Sequence, residues 1–382
     1  MEWRVPLSDI NFGVEEEQAV LQVIRSRWLT MGSVTQLFEQ EFAAYLGIKH
    51  AIAVTNATAA LHLACVAAGL GPGDEAILPS LTFVATANAV RYTGAQPVFA
   101  DIESEKDLNI SPQAIEACIT PRTRAILVVH YGGYACDMPA ILALAQEHGL
   151  AVIEDAAHAI GSQLDGRMLG TWGQIGCFSF FSNKNMTTGE GGMLTTEEDA
   201  LAEKLRHLRS HGMTTLTWDR HKGHAWSYDV IDLGYNYRID EIRSALGRVQ
   251  LEKLPANNHL RRERTALYHE LLDELCPSVG LPFRDHPGVS ACHLLPILLP
   301  EGASREAVME KMKSAGVQTS IHYPPVHQFS AYQDISVRSL PGLERTETLA
   351  ARELTLPLHP SLSVPDIKYV IETLRDALTG LN

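Results

Sequence analysis

The stretch from Gly176 to Thr195, GCFSFFSNKNMTTGEGGMLT, places one lysine, Lys184, on a short loop between two apolar runs. Cys177 to Phe181 has the composition of a buried strand, and a second run begins at Met193. An amine held between buried strands is poorly solvated, which lowers its pKa and suits it to attack a carbonyl. Read alone, the same lysine is equally an exposed charge beside a glycine turn, so residues upstream must decide. Three groups fall at strand-to-helix junctions. Thr55-Asn56-Ala57-Thr58-Ala59 opens a helix, whose free amides and dipole suit a phosphate, although ordinary N-capping by Thr55 or Asn56 explains it alone. Thr82-Phe83 sets an aromatic ring at the mouth of the next junction. Glu154-Asp155-Ala156-Ala157-His158 follows the apolar run Ala151 to Ile153, so Asp155 emerges at a strand's carboxyl end, where a buried acid needs a partner. A phosphate cup, an aromatic platform, a carboxylate and a lysine, in that order, describe a site for pyridoxal 5′-phosphate (PLP).

The elements that must position these groups alternate. Ala51–Val54, Glu75–Leu78, Pro97–Ala100, Ala125–Val129 and Ala151–Glu154 read as strands. Helical patterns lie between them, at Thr58–Gly69, Phe83–Tyr92, Ser111–Cys118 and Met138–His148. Such alternation predicts an α/β layer with a mostly parallel sheet and a ligand site beyond the carboxyl ends of its strands. Two helices, within Glu15–Arg27 and up to Gly47, precede the sheet. After the Lys184 loop come a charged helix, Glu197–Arg209, and a long polar stretch, 210–233. A helix from Ile239 to Leu254 is expected to end at Pro255. Beyond it the pattern changes to a helix at Leu260–Leu275, strands at His293–Leu299 and Val317–Ile321, and helices at Arg305–Ala315 and Val364–Leu378. The expected division is a large domain over 1–255, with an N-terminal arm, and a smaller C-terminal α/β domain over 256–382.

Composition narrows the partners. A chain of 382 residues with 46% hydrophobic and 20% charged residues is an ordinary globular protein. Its net charge of -14, without a basic patch, argues against nucleic acid or an anionic membrane. Six scattered cysteines without paired spacing predict reduced, buried thiols and a cytoplasmic protein without a metal site.

The motifs also resemble a family. Trp28-Leu29-Thr30, Thr55 to Leu61, Pro79 to Thr86, Glu154 to His158, Phe178-Ser179-Phe180, Lys184, Thr187 to Gly192, Gly234 to Arg238 and Ile321 to Pro324 are similar to those of the DegT/DnrJ/EryC1/StrS sugar aminotransferases. These belong to the fold type I PLP enzymes, and the resemblance runs from Trp28 to about His327. It implies Lys184 as the Schiff-base lysine, Asp155 as the pyridine-nitrogen partner and His158 beside the phenolic oxygen, these three being the catalytic set. It implies Phe83 as the stacking ring and Thr58, Ala59 and Ser179 at the phosphate. Asn236 would reach the phosphate of a neighbouring subunit, so a homodimer with shared sites follows. Thr30, Met31, His322 and Tyr323 would face the substrate. Ala57 stands where the family often has glycine, and Ser182-Asn183 where it often has a His-Pro pair; neither removes a catalytic atom.

The resulting expectation is a PLP-dependent aminotransferase moving an amino group from an amino acid, L-glutamate by resemblance, to a nucleotide-linked keto-deoxysugar at C4. A C3-keto sugar or a keto-cyclitol is the alternative within the same chemistry. In the 210–233 stretch, Arg220 and Lys222 with Trp226 have the composition for a nucleotide diphosphate contact. Family members that act as dehydratases lack the lysine, which this chain keeps. A nicotinamide enzyme is disfavoured because Gly69, Gly71 and Gly73 follow a helix and precede a strand, the reverse of the dinucleotide fingerprint. No Gly-x-Ser-x-Gly elbow points to a hydrolase. A non-catalytic PLP-binding regulator is the rival of another class, opposed by the lack of a DNA-binding segment.

Overall fold

The computed structural model describes residues 3–214, 227–333 and 342–379. Arg220, Lys222 and Trp226 lie outside the described residues. Two helices lead, α1 (Val14–Ser26) and α2 (Ser33–Leu46). The start of α2 has no side-chain cap of its own. Instead the buried carboxylate of Glu241 accepts the amides of Gly32, Val34 and Thr35 at 2.8–2.9 Å.

The expected alternation follows. Strands β1 (His50–Val54), β2 (Glu75–Pro79), β3 (Gln96–Ala100), β4 (Thr123–Val129) and β5 (Ala151–Asp155) are separated by helices α3 (Ala57–Ala67), α4 (Ala85–Tyr92), α5 (Pro112–Cys118) and α6 (Met138–His148). A small hairpin, β6 (Gln163–Leu164) and β7 (Arg167–Met168), precedes β8 (Ile175–Ser179) and β9 (Gly192–Thr196), and α7 (Asp199–Arg209) ends the unit. The sheet order is β1-β9-β8-β5-β4-β2-β3. Strands β8, β5, β4, β2 and β3 pair in parallel, while β9 is antiparallel to both β8 and β1. Helices cover both faces. Phe38 and Phe42 of α2 pack on one face with Ile115 and Ile141. Leu61 of α3, Ala87 of α4 and Leu205 of α7 pack on the other. Burial on both sides explains why these strands read as continuous apolar runs.

Alternation along β5 sends its two acids to opposite faces. Glu154 is fully buried and takes three donors: the amide of Gly170 at 2.7 Å, that of Gly173 at 2.6 Å and the His130 ring at 2.9 Å. Because the Cys136 amide donates to His130 Nδ1, the ring proton sits on Nε2 and points at Glu154. That acid braces the loop before β8, and Asp155 is left for the other side.

The later chain departs from expectation in two places. The helix does not end at Pro255: α8 runs unbroken from Glu241 to Leu275. A proline in a helix removes one hydrogen bond and crowds the preceding turn. Here the ring is exposed, and packing holds the helix on either side of it. Leu251 and Leu254 join the core of the large sheet, and Tyr268 and Leu272 join a second core around Ile297, Leu354 and Ile371. The expected strand at Val317–Ile321 is reduced to single bridges, Val317 to Val5 and Ser320 to Thr355. The strand β10 (Leu295–Leu298) pairs instead with β11 (Glu353–Leu356), directly after the helix Glu344–Arg352. No turn residue separates that helix from β11, so the sequence carries no boundary signal there. All six cysteines are buried. Among the described residues, no helix is long and apolar enough to cross a membrane.

Candidate active site

A cavity of about 400 Å³ opens beyond the carboxyl ends of the strands, and it gathers most of the residues singled out in the sequence. Its walls include Thr58, Phe83, Asp155, His158, Ser179, Lys184, His322 and Tyr323. Lys184 sits on the loop between β8 and β9. It is partly accessible where it borders the cavity, yet protein atoms crowd it enough that desolvation lowers the amine to about 8, with Asp155 opposing that shift. Asp155 is 6% exposed and accepts from the Thr86 hydroxyl at 2.7 Å and the Ala157 amide at 3.1 Å. Burial still raises its pKa, despite those two donors and the nearby amine. A cation set against it would relieve that cost.

Phe83 stands just before α4 with 57% of its surface exposed, a large apolar ring facing the cavity without cover. Opposite the lysine, the start of α3 is capped by Asn56, whose side chain accepts the Ala59 amide at 2.8 Å. The first-turn amides of Ala57 and Thr58 remain at the cavity wall, where helix geometry leaves such donors to a ligand. The Ala59 amide is taken by the cap, and Ala59 lines a separate concavity with His62 and Tyr237. Gly192, at the start of β9, explains the glycine-rich turn after Lys184. A Cβ there would come within 2.6 Å of the Asn56 carbonyl and 2.8 Å of the Ala57 nitrogen. Glycine therefore lets β9 pass against the backbone of the cup, and so fixes the cup's position.

A cluster of rings closes the far side. The Gly132 amide donates to His158 Nδ1 at 3.3 Å, so the neutral ring carries its proton on Nε2 and donates to the Tyr323 hydroxyl at 3.0 Å. Desolvation, with Lys184 and His322 nearby, pushes His158 well below its ordinary value. His322 falls to about 4, first by burial and then by Lys184. The segment carrying His322 and Tyr323 is tied to β11: the Glu353 carboxyl accepts the His322 amide at 2.8 Å, and Thr355 bonds both Glu353 and the His322 ring. The Tyr131 hydroxyl donates to the His322 carbonyl from beneath.

Besides Ala59, three expected residues lie apart from this cavity within one protomer. Thr30 and Asn236 are exposed, and Met31 lines a different cleft beside Arg206 and Arg209. His293, absent from the sequence reading, is present: its Nε2 lies 3.4 Å from the Lys184 amine. The signal was there in Ala291-Cys292-His293-Leu294-Leu295, a single ring-bearing polar residue inside an apolar run.

The donor set fits PLP. The α3 amides would take its phosphate, Phe83 would back its ring and Asp155 would take its pyridine nitrogen, and the orphaned Asn183 Oδ1 lies at the same wall. Residues 11–375 match the DegT/DnrJ/EryC1/StrS aminotransferase family. The chain belongs to that family. It is 43% identical over 381 residues to SpsC of Bacillus subtilis (strain 168), a spore coat polysaccharide biosynthesis protein, covering 98% of this chain and 97% of that one. Helicobacter pylori PseC, an aminotransferase involved in the biosynthesis of pseudoaminic acid, superposes with a TM-score of 0.91 at 30% identity over 100% of both chains. Spr1654 of Streptococcus pneumoniae, solved in a PLP form, gives 0.91 at 26% identity over 99% of each. Like other DegT/DnrJ/EryC1/StrS aminotransferases, this one is a PLP-dependent sugar aminotransferase of fold type I.

Proposed function

We propose that this aminotransferase moves an amino group from L-glutamate to C4 of a nucleotide-linked keto-deoxysugar, as a homodimer whose two sites each draw on both protomers. The observation that carries the site assignment is the Lys184 amine, desolvated to about 8 and sharing one cavity with a buried, raised-pKa Asp155 and a bare Phe83. The acceptor rests on chemistry. SpsC is named for spore coat polysaccharide biosynthesis and PseC for that of pseudoaminic acid, and a sugar destined for a polysaccharide needs an activated carrier, for which a nucleoside diphosphate serves. C4 and glutamate follow the family expectation, with C3 and cyclitol ketones as the competing acceptors.

PLP, when bound, would supply a reactive carbonyl for amines and an electron sink for the substrate carbon. The chain's own residues then divide the work. Lys184, with a pKa near working pH, exchanges a proton readily, as a general base and acid must. Asp155 holds its charge against the ring nitrogen, helped by Thr86 and Ala157. Thr58, with the α3 amides, and Ser179 would hold the phosphate, while Phe83 would back the ring and His158 would lie beside its oxygen. With His158 donating to its oxygen, the Tyr323 hydroxyl keeps its own proton for the substrate, beside His322. Asn236, Thr30 and Met31 serve the partner's site. Support for that arrangement comes from exposed apolar residues near them: Leu233 is 82% exposed, Ile231 57%, and Leu29 50%.

The test is a panel assay on the purified, PLP-loaded chain. Visible absorbance lost on adding L-glutamate and restored by a 4-keto nucleotide sugar, with the amino sugar identified by mass, is the expected result. Restoration only by a 3-keto sugar or a cyclitol ketone would move the reaction to that acceptor. Arg220→Ala and Lys222→Ala are expected to raise KM for the nucleotide sugar about tenfold or more while leaving glutamate turnover unchanged, as the loss of a charged hydrogen bond implies.

A further inference from the structure

Behind Lys184 runs a chain of side-chain hydrogen bonds whose direction is dictated from its far end. The Asn258 amide of α8 faces the Ile160 carbonyl at 2.9 Å. A carbonyl only accepts, so Asn258 presents Nδ2 there and turns Oδ1 the other way. That oxygen accepts from Asn185 Nδ2 at 2.8 Å, and the second proton of the same nitrogen goes to the Ala291 carbonyl at 2.8 Å. Both Asn185 donors are therefore spent. Its Oδ1 faces His293 Nδ1 at 2.9 Å and can only accept, so the ring proton lies on Nδ1. His293 Nε2 is left as a bare lone pair 3.4 Å from the Lys184 amine. All three intermediate residues are buried, with Asn185, Asn258 and His293 no more than 6% exposed. No amide flip is open to either asparagine without setting its oxygen against a backbone carbonyl oxygen, of Ile160 or of Ala291.

We infer that His293 is a positioning residue for Lys184, held by the Asn258–Asn185 relay in the one tautomer that accepts a hydrogen bond from the lysine amine. The inference rests on Lys184 being the reacting amine. Accepting one N–H fixes the rotation of the amine about its last bond and turns its remaining lone pair or proton toward the cavity. The surroundings keep the ring in that state. His293 is pushed well below its ordinary pKa by burial, with Lys184, His158, Arg261 and His322 all disfavouring a charge. The His158 ring lies 4.5 Å away, and the Arg261 guanidinium bonds the His293 carbonyl at 3.4 Å, so both groups would oppose a proton there. The proton stays on the amine, and His293 acts as acceptor rather than base. The asparagine following the catalytic lysine thus reaches it through a residue more than a hundred positions away.

Two variants of similar volume separate this role from packing. In His293→Gln the amide offers an oxygen to Lys184 and an NH2 group to Asn185, reproducing the Nδ1–H tautomer. In His293→Phe the ring is kept and the acceptor is lost. The measurement is the rate of PLP attachment to the full-length, cofactor-stripped chain, followed by absorbance as a function of pH. Wild type is expected to give a midpoint near the amine's own value, about 8. His293→Phe is expected to lower the midpoint by about one pH unit and the plateau rate about tenfold, because a charge-assisted acceptor favours the ammonium. His293→Gln is expected to stay within about threefold of wild type. The reverse ranking, with Phe tolerated and Gln impaired, would assign His293 to packing and overturn the inference. Imidazole nitrogen shifts from selectively labelled histidine give a second readout, and an Nε2–H tautomer at His293 would also overturn it. Failure of PLP to attach to wild type would instead sink the reading of the site itself.

Discussion

Lys184 is costly to bury uncombined, and its titration makes that cost measurable. Its amine falls from 10.5 in the unfolded chain to about 8 in the folded one. Between those values the unfolded state binds the extra proton, so the cofactor-free protein gains stability as pH rises from about 8 to 10.5 and lacks it below. Lys184→Met should therefore stabilise the cofactor-free chain at pH 7, by at most about 3 kcal/mol, while abolishing turnover. Thermal unfolding of the stripped proteins across pH checks it, and an unchanged or lower melting point in the variant would refute it. Asp155→Asn removes the charge opposite the ring nitrogen but keeps the Thr86 contact. Turnover is expected to fall by about a thousandfold with PLP still bound, as for the loss of a group acting mainly in the transition state. At this scale the sequence was largely legible. Asp155, Phe83 and Thr58 stand out at strand-to-helix junctions and Lys184 on a loop between two apolar runs, whereas His158 follows from the family resemblance. His293 carried only the weak signal of one polar ring in an apolar run, because nothing local encodes that the fold sets it 3.4 Å from an amine more than a hundred positions away.

Elements were legible where burial sets the period and opaque where packing overrides propensity. The five parallel strands announced themselves as apolar runs, whereas Pro255 pointed to a helix end that α8 ignores. Two cores held by one helix outweigh a single missing hydrogen bond and the crowding of the preceding turn. Pro255→Ala is accordingly expected to stabilise the protein by about 1–3 kcal/mol in chemical denaturation, without altering activity. A loss of stability would mean that the proline sets a bend the packing needs. β11 escapes a sequence reading because its neighbours carry no punctuation, yet it anchors the His322–Tyr323 segment through Glu353. Burial raises that carboxyl from 4.5 to about 8. The folded state binds the extra proton, so this group's contribution is present below about pH 4.5 and is lost as pH rises through 8. Glu353→Gln should remove that alkaline decline. An identical pH–stability slope in wild type and variant would count against it.

For the whole molecule, a single protomer leaves Thr30, Met31 and Asn236 away from the cavity, and a shared-site dimer gives all three something to do. Complementation tests this. Lys184→Ala and Asn236→Asp chains are each expected to be inactive as homodimers. Reassociated in equal amounts, they should regain about a quarter of wild-type activity, since half the dimers would carry one intact site. No recovery from demonstrably mixed dimers would place Asn236 in its own protomer's chemistry or outside it. Leu233→Asp, at the most exposed apolar position near Asn236, should shift the protein toward monomers by light scattering and lower PLP retention with them. Domain division at 1–255 and 256–382 remains our proposal for the chain. Of the two cores that α8 joins without a break, the first lies before that boundary and the second, apart from Val5 of the N-terminal arm, after it.

The neighbouring acids of β5 carry a final consequence. Glu154 faces the loop it braces and Asp155 faces the cavity, and only the pleat of one strand separates these addresses. A single residue inserted within Ala151–Ile153 would exchange them, sending the bracing carboxylate into the site and the site's carboxylate into the scaffold. The strand thus behaves as a two-position selector. Substitutions at either acid cost one task, whereas a one-residue slip costs both at once, so this strand should tolerate changes of apolar side chain far better than changes of length.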